Sequence, residues 1–276
     1  MTDVSSSYLR KLKLTFSRKV NTAFIGQYKS AFRGNGLLFD TIREYEYGDD
    51  IKNLDWKVSA RMNHLYVKQY QEERELNIVV MIDFSRSMDF GTGRTKRDVL
   101  MELATILLIL AEQTRDRVSV IVFTDTVEWY FRPKRGRRYV LKVLNDIMHF
   151  KPAAAKTDIT SAVEYASRII KKRSVVFLIS DFLDNSYETS LRRFSRKHDL
   201  IPVTISDPAE HEIAFFGLAS FYDMESGETV FSTKTWHDST SIAGITGDPL
   251  YLSTVEPVDT RLLAYFKKRN RRRLHA

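Results

Sequence analysis

The chain has 276 residues, of which 43% are hydrophobic, so it can bury a large core and is not expected to be disordered as a whole. It contains no cysteine, which excludes disulfide bonds and thiolate metal sites. Its formal net charge is +8, and it shows neither a signal-peptide segment nor an apolar run near the ~20 residues of a membrane helix, so we expect a cytoplasmic protein.

Residues 1–76 are expected to form a flanking segment with a helix and short strands. Near-helical spacing of apolar residues predicts a helix over Tyr8–Phe24, and Gly34-Asn35-Gly36 predicts a turn. Alternating residues predict strands within Phe39–Tyr47 and Leu65–Tyr70. The polar residues of this segment could be a catalytic acid/base set or a structural ion-pair network, and we favour the network because no histidine or hydroxyl nucleophile accompanies them at a catalytic spacing. They are Arg43, Glu44, Asp49, Asp50, Asp55 and Arg61.

Residues 77–206 alternate between predicted strands and helices. The strands are residues 77–83, Arg117–Phe123, Ser174–Ser180 and Leu200–Ile205, with Val127–Phe131 able to pair with the second of them. The helices are Lys96–Gln113, Arg138–Phe150, Ile159–Lys172 and Tyr187–His198. This alternation predicts an α/β domain with a mostly parallel sheet, right-handed crossovers and helices on both faces.

Residues 207–276 follow a different pattern. Leu218–Phe221 and Thr229–Thr233 flank a turn sequence and predict a hairpin, and Val258–Lys268 predicts a terminal helix. We expect this segment to pack with the amino-terminal one as a small β-containing accessory region. The basic residues near the end could contact nucleic acid or an anionic surface, or could form a solvated tail; we favour the tail because no aromatic residues are interleaved with them. They are Lys267, Lys268, Arg269, Arg271, Arg272 and Arg273.

Oxygen-bearing side chains follow two of the predicted buried strands. Asp83, Ser85 and Ser87 follow the first strand, Asp181 follows Ser174–Ser180, and Thr157 lies in the loop before a helix. Because the carboxyl ends of parallel strands meet at one edge of a sheet, these side chains are expected to gather there. Two carboxylates and three hydroxyls suit Mg2+, or Mn2+ or Ca2+, whereas the alternative is that the hydroxyls only cap helices and turns.

The five residues resemble a known motif. Asp83-Phe84-Ser85-Arg86-Ser87, with Thr157 and Asp181, is similar to the metal-ion-dependent adhesion site of von Willebrand factor A-type domains. The blocks before and after it resemble the bacterial domain-of-unknown-function 58 family, over most of residues 33–210. They are Arg43-Glu44-Tyr45, Gly48-Asp49-Asp50, Asp55-Trp56, Ala60-Arg61, Glu73-Arg74-Glu75 and Ser180-Asp181-Phe182-Leu183-Asp184.

The resemblance implies a von Willebrand factor A-like fold and a non-enzymatic, metal-dependent protein-interaction module. It further implies that Asp83, Ser85, Ser87, Thr157 and Asp181 hold the metal. A partner's acidic side chain would complete the metal's ligands, and a MoxR-type AAA+ ATPase is the expected partner, in a chaperone-like assembly or activation role. Asp125 and Asp184 lie near the same edge but are not expected to touch the metal.

Two other functions are compatible with the residues. The first is a Mg2+-dependent phosphohydrolase with Asp83 as nucleophile, although Ser85 stands where the second acidic residue of such a pair would be. There is no glycine-rich phosphate-binding loop in the sequence, so ATP hydrolysis would belong to a partner. The second is nucleic-acid binding through the basic carboxyl-terminal residues, which a steep loss of affinity with salt would reveal.

Overall fold

The computed structural model describes residues 22–33, 41–49, 51, 54–69, 75–184, 186–212, 219–222, 229–232, 241–246 and 248–274. Most of the helix predicted over Tyr8–Phe24, and the turn predicted at Gly34-Asn35-Gly36, lie outside these residues. In chain order the elements are α1 (Thr22–Arg33), β1 (Thr41–Glu44), α2 (Trp56–Met62), β2 (Tyr66–Gln69), β3 (Asn77–Asp83), a 3-10 turn (Arg86–Asp89), α3 (Lys96–Gln113), β4 (Arg117–Phe123), β5 (Val127–Lys134), α4 (Arg137–Met148), α5 (Ile159–Ile169), β6 (Val175–Ser180), α6 (Glu188–Ser195), β7 (Asp199–Ser206), α7 (Pro208–Glu212), β8 (Ala219–Tyr222), β9 (Thr229–Ser232), α8 (Ser241–Thr246), β10 (Leu250–Ser253) and α9 (Val258–Leu274).

The main sheet has six strands in the order β10-β7-β6-β3-β4-β5. Every neighbouring pair is parallel except β4 and β5, which form an antiparallel pair. Strand β3 lies at the centre, between β4 and β6, and its apolar residues from Ile78 to Ile82 are each at most 2% exposed. A strand buried on both faces needs such a continuous apolar run. The predicted mostly parallel α/β sheet is therefore confirmed.

Helices cover both faces of this sheet, and each face has its own apolar cluster. On one face Val80 and Ile82 of β3 belong to a cluster with apolar residues of α1, α3, α4 and α9. On the other face Val79 and Met81 of β3 belong to a cluster with α5, α6 and α8. Successive side chains of a strand point to opposite faces, so one apolar strand supplies both clusters. The strands that end at the carboxyl edge of the sheet are therefore packed by helices on both faces.

Helix α3 begins at the carboxyl edge of the sheet with a capping box. Thr95 accepts a hydrogen bond from the backbone N–H of Asp98, and the Asp98 carboxylate accepts one from the backbone N–H of Thr95. The turn before it requires Gly91, since a Cβ there would lie 2.2 Å from the backbone oxygen of Arg94. These local features fix the point at which α3 begins, with Lys96 as its first residue.

The main sheet extends beyond the segment 77–206 into the carboxyl-terminal region. Strand β10 pairs in parallel with β7 at the edge of the sheet. Helix α9 packs against α1, where the ring of Phe266 contacts the rings of Phe24, Tyr28 and Phe32 at centroid distances of 5.5–5.8 Å. The carboxyl-terminal residues thus complete one side of the domain.

Some of the basic residues near the carboxyl terminus are structural. Arg269 lies in α9 with its side chain 11% exposed, and it forms an ion pair with Asp199. Its guanidinium carbon also lies 4.9 Å from the centroid of the Phe32 ring. Arg272 pairs with Asp248 at 2.9 Å. The interpretation of this cluster as a solvated tail does not hold for Arg269, because a helix presents part of each turn to the core. Arg272 has a side chain that is 53% exposed, so its ion pair lies at the surface.

The small β1–β2 unit is antiparallel and is closed by α2. Asp55 caps α2 by accepting hydrogen bonds from the backbone N–H groups of Lys57 and Val58. The Glu46 backbone N–H donates to the Asp49 carboxylate, and Arg43 donates to it over 2.6 Å. The Glu46 hydrogen bond first, and the Arg43 one next, hold the pKa of Asp49 below its usual range. The described contacts of Arg43, Asp49 and Asp55 are those of a structural network. A second antiparallel pair, β8 with β9, forms in the region of the predicted hairpin.

Candidate metal centre

The centre is built on Asp83, the last residue of β3, which is fully buried. Its Oδ1 accepts a hydrogen bond from the Ser85 backbone N–H over 2.9 Å. Its Oδ2 accepts one from the Ser180 hydroxyl, at the end of neighbouring β6, over 2.7 Å. The Ser85 and Ser87 hydroxyl oxygens are 3.1 Å apart. One carboxylate and two hydroxyls are thus held together in a single turn.

The charge of Asp83 is costly in this position. Burial, and next to it the charge of Asp181, raise the pKa of Asp83 to about 7, against hydrogen bonds from Ser180 and Ser85 that lower it. Two neighbouring carboxylates taken out of water favour either a proton or a cation between them. This observation, together with a set made only of hard oxygen donors, fits a divalent ion such as Mg2+.

Asp181, the residue after β6, is shared between the centre and an internal lysine. Lys96 Nζ donates to Asp181 Oδ2 over 2.8 Å and to Glu210 Oε1 over 2.6 Å. Lys96 is 1% exposed. Burial alone would lower the pKa of Lys96, but the charges of Asp181 and Glu210 outweigh it and raise that pKa, so the lysine is a cation. Among the described residues, the other Asp181 oxygen, Oδ1, accepts one hydrogen bond, from the Leu183 N–H over 3.4 Å.

Thr157 lies in a loop that is attached to the centre on both sides of it. Before Thr157, the Ala155 carbonyl accepts a hydrogen bond from the Arg86 N–H over 2.9 Å; after it, the Asp158 N–H donates to the Thr124 carbonyl over 3.0 Å. The Glu128 carboxylate also accepts from the Ala153 N–H, over 2.9 Å. The structure therefore brings the Thr157 loop against the Ser85–Ser87 turn.

The remaining acidic residues of this edge have structural contacts. Asp184 accepts a hydrogen bond from the Ile159 N–H at the start of α5, over 3.1 Å, and Asp158 caps the same helix through the Ser161 N–H. Asp125 accepts a 3.4 Å hydrogen bond from the Thr124 hydroxyl. Within the described part of the chain, no three histidine, cysteine, aspartate or glutamate side chains converge as metal ligands; the candidate centre instead combines two carboxylates with hydroxyls.

The backbone beyond Asp181 is in an unusual conformation. Phe182 has φ of +57°, a left-handed conformation that a bulky residue rarely adopts. Its N–H donates to the Ser180 hydroxyl over 3.1 Å, and its buried ring packs against Tyr187 at 5.5 Å. These contacts hold the turn that directs Asp181 toward the centre. Left-handed non-glycine residues held in this way are frequent at functional sites.

Four residues around the centre were not predicted from the sequence as site residues. Lys96 and Ser180 donate hydrogen bonds to the predicted ligands Asp181 and Asp83. Glu210 accepts from Lys96, and Arg97 donates to the Phe84 and Ser85 carbonyls over 3.3 Å each. The sequence offered two signals. One is a lysine at the start of a helix that is apolar nearly all round, and the other is a serine directly before Asp181. Neither signal identifies a partner that lies 85 to 114 residues away.

The strand order of the sheet and the position of the motif at the end of β3 give the chain a von Willebrand factor A-like fold, the fold predicted from its motifs. The chain belongs to the DUF58 family, since the family described as "Protein of unknown function DUF58" matches residues 41–239. The uncharacterized protein Rv1480 of Mycobacterium tuberculosis (strain ATCC 25618 / H37Rv) is 29% identical over 223 residues, which is 79% of this chain and 70% of that protein. The uncharacterized protein Mb1516 of Mycobacterium bovis matches to the same extent.

Two solved structures resemble this fold. The conserved hypothetical protein BatB from Bacteroides thetaiotaomicron has a TM-score of 0.50 and 12% identity, over 71% of this chain and 99% of that one. An aerotolerance-related membrane protein from Bacteroides fragilis NCTC 9343 has a TM-score of 0.50 and 14% identity, with the same coverage. At these identities the similarity concerns the fold alone. Among the described residues of the present chain, no helix combines the length and hydrophobicity of a membrane span.

Proposed function

We propose that this protein binds a partner through a divalent cation, most simply Mg2+, held by Asp83, Ser85, Ser87, Thr157 and Asp181. The observation that carries the proposal is the fully buried Asp83, which lies beside two hydroxyls and whose pKa is raised to about 7 by burial and, next to it, by the charge of Asp181. A cation reduces the repulsion between two such carboxylates. Bound there, a divalent ion would supply an open position for a carboxylate of the partner.

The proposal assigns binding and not hydrolysis to the centre. Ser85 follows Asp83 at the position where a phosphohydrolase of the alternative type would carry its second carboxylate, and the Ser85 hydroxyl lies against Ser87. Lys96 is held between Asp181 and Glu210 and is 1% exposed. A lysine with both partners inside the fold is poorly placed to contact an incoming phosphate.

The expected partner is a MoxR-type AAA+ ATPase, an expectation that rests on the family resemblance. Its test uses immobilised protein and the purified ATPase of the same bacterium, with Mg2+ or with a chelator. Binding is expected only with Mg2+, and is expected to be lost in Asp83→Asn and when one acidic residue of the ATPase is replaced by alanine. Asp146→Asn, on α4 and outside the centre, is the matched control and should bind normally.

Two results would overturn the proposal in different ways. Binding that persists unchanged in chelator would move the interface away from the centre. Mg2+-dependent hydrolysis of phosphate esters by the purified protein, lost in Asp83→Asn and kept in Asp146→Asn, would identify a phosphohydrolase instead. An affinity capture with Mg2+ against chelator, read by mass spectrometry, extends the same test to partners other than the ATPase.

A further inference from the structure

Lys96 is the one described lysine that is buried and paired with a candidate metal ligand. Its ammonium is 2.8 Å from Asp181 Oδ2, so one oxygen of that carboxylate already contacts a positive charge. Its second partner, Glu210, lies in α7, after the last residue of the neighbouring strand β7. The proposed function assigns neither residue a role in cation binding.

The Lys96 ammonium is held in place from both ends. The Thr95–Asp98 capping box fixes the backbone at the start of α3. On the other side, Glu210 accepts a hydrogen bond from the Asp207 N–H over 3.0 Å, which keeps its carboxylate in the β7–α7 turn. Asp207 itself accepts from the Thr92 N–H over 3.3 Å and from the Thr254 hydroxyl over 2.6 Å. These contacts hold the Lys96 ammonium beside Asp181.

We infer that Lys96 lowers the affinity of the metal centre for its cation, and that Glu210 limits this effect of Lys96. Resting on the proposed function, this inference names what sets the affinity of the centre for its cation. The ammonium repels a divalent ion and retains one oxygen of Asp181, so the protein alone holds the metal weakly. Glu210 offsets part of the ammonium charge. A partner carboxylate then adds the missing attraction, so metal and partner bind cooperatively, each strengthening the other to the same extent.

Calorimetry with Mg2+ alone tests the inference on the full chain. Lys96→Gln is expected to bind Mg2+ about tenfold more tightly than the wild type, because it removes a positive charge that repels the ion and replaces the ammonium donor to Asp181 with a neutral amide. Glu210→Gln is expected to bind it more weakly, since the ammonium keeps its charge and loses one counter-charge. The matched control is Lys142→Gln, an exposed lysine of α4, which should leave the affinity unchanged. A merely structural lysine would lower the unfolding temperature without tightening metal binding.

The double variant Lys96→Gln/Glu210→Gln covers the case in which the single lysine variant fails to fold. It removes one positive and one negative charge, so the net charge equals that of the wild type, but Asp181 no longer faces an ammonium. It should bind Mg2+ severalfold more tightly than the wild type, and equal or weaker binding overturns the inference. If the wild type binds Mg2+ and Lys96→Gln binds it no better, only the role of Lys96 fails. If neither the wild type nor any variant binds Mg2+, the proposed function fails as well.

Discussion

Replacement of Asp83 by asparagine is expected to stabilise the metal-free protein and to abolish its stabilisation by Mg2+. Asparagine keeps the size of the side chain and can accept from the Ser85 N–H, while its amide can donate to the Ser180 hydroxyl, which rotates freely. What the substitution removes is a buried negative charge beside Asp181. The buried charge of the centre would thus lower the stability of the metal-free protein.

The size of the effect follows from the pKa of Asp83, about 7 in the folded protein against an ordinary value of 3.8. Because the folded state holds this proton more tightly than the unfolded state, the contribution of Asp83 to stability is complete below about pH 4 and is lost as the pH rises to about 7. At about 1.4 kcal/mol per pKa unit, the ionised carboxylate costs up to ~4 kcal/mol above that range. Asp83→Asn avoids this cost, and the unfolding temperature should rise by up to ~10 °C.

Urea and thermal unfolding in chelator, at about pH 8 and about pH 4, measure this effect. The gain of Asp83→Asn should be present at the higher pH and vanish at the lower, whereas Asp146→Asn should change stability by less than ~0.5 kcal/mol at both. With Mg2+ at about 100 times its Kd, the wild type should gain about 2.7 kcal/mol and Asp83→Asn nothing. If Asp83→Asn were less stable than the wild type in chelator at the higher pH, the hydrogen bonds from Ser85 and Ser180 would outweigh burial, and the electrostatic argument would be wrong.

Three further predictions concern the surroundings of the centre. Glu128→Ala removes the acceptor of the Ala153 N–H, so the Thr157 loop should loosen and Mg2+ affinity should fall by about tenfold in calorimetry; unchanged affinity would show that the loop's backbone hydrogen bonds suffice. Asp55→Ala removes the cap of α2 and should cost about 1 kcal/mol in urea unfolding with Mg2+ affinity unchanged, whereas loss of metal binding at normal stability would give Asp55 a functional role. Arg269→Ala should lower the free energy of unfolding by ~3 kcal/mol, because Asp199 loses its partner. The control is Arg271→Ala, at an exposed position of the same helix. Equal and small effects of the two substitutions would show that Arg269 too behaves as part of a solvated surface.

The elements that the sequence predicted best are those with the strongest apolar patterns. The predicted helix Lys96–Gln113 and strand Arg117–Phe123 coincide with α3 and β4. Both are buried along most of their length, so their residue types are dictated by the core itself. Strand β10 was not predicted. It is four residues long, Tyr251 is 45% exposed, and only Leu250 and Leu252 face the core. Its conformation depends on pairing with β7, a contact that no local pattern reveals.

The same distinction applies to the centre. The sequence placed Asp83, Ser85 and Ser87 at a strand end because the strand and the motif are contiguous. It indicated nothing about Lys96 and Glu210, because a buried ion pair between residues 114 positions apart follows from packing alone. The family resemblance named the candidate ligands but not the charged side chains around them, which we infer would set the affinity of the centre for a cation.

Function is better assigned to the β3–β6 edge than to the polar β1–β2 unit, and the reason is energetic. In the small unit, Asp55 caps a helix and Arg43 pairs with Asp49, arrangements that stabilise their own surroundings. At the β3–β6 edge, a carboxylate is buried beside another and Phe182 is left-handed, and both features cost the metal-free fold free energy. Natural proteins depart from locally favourable choices mainly where activity requires it. A cation at this edge would offset part of that cost. The described contacts of the β1–β2 unit are already favourable and need no such ligand.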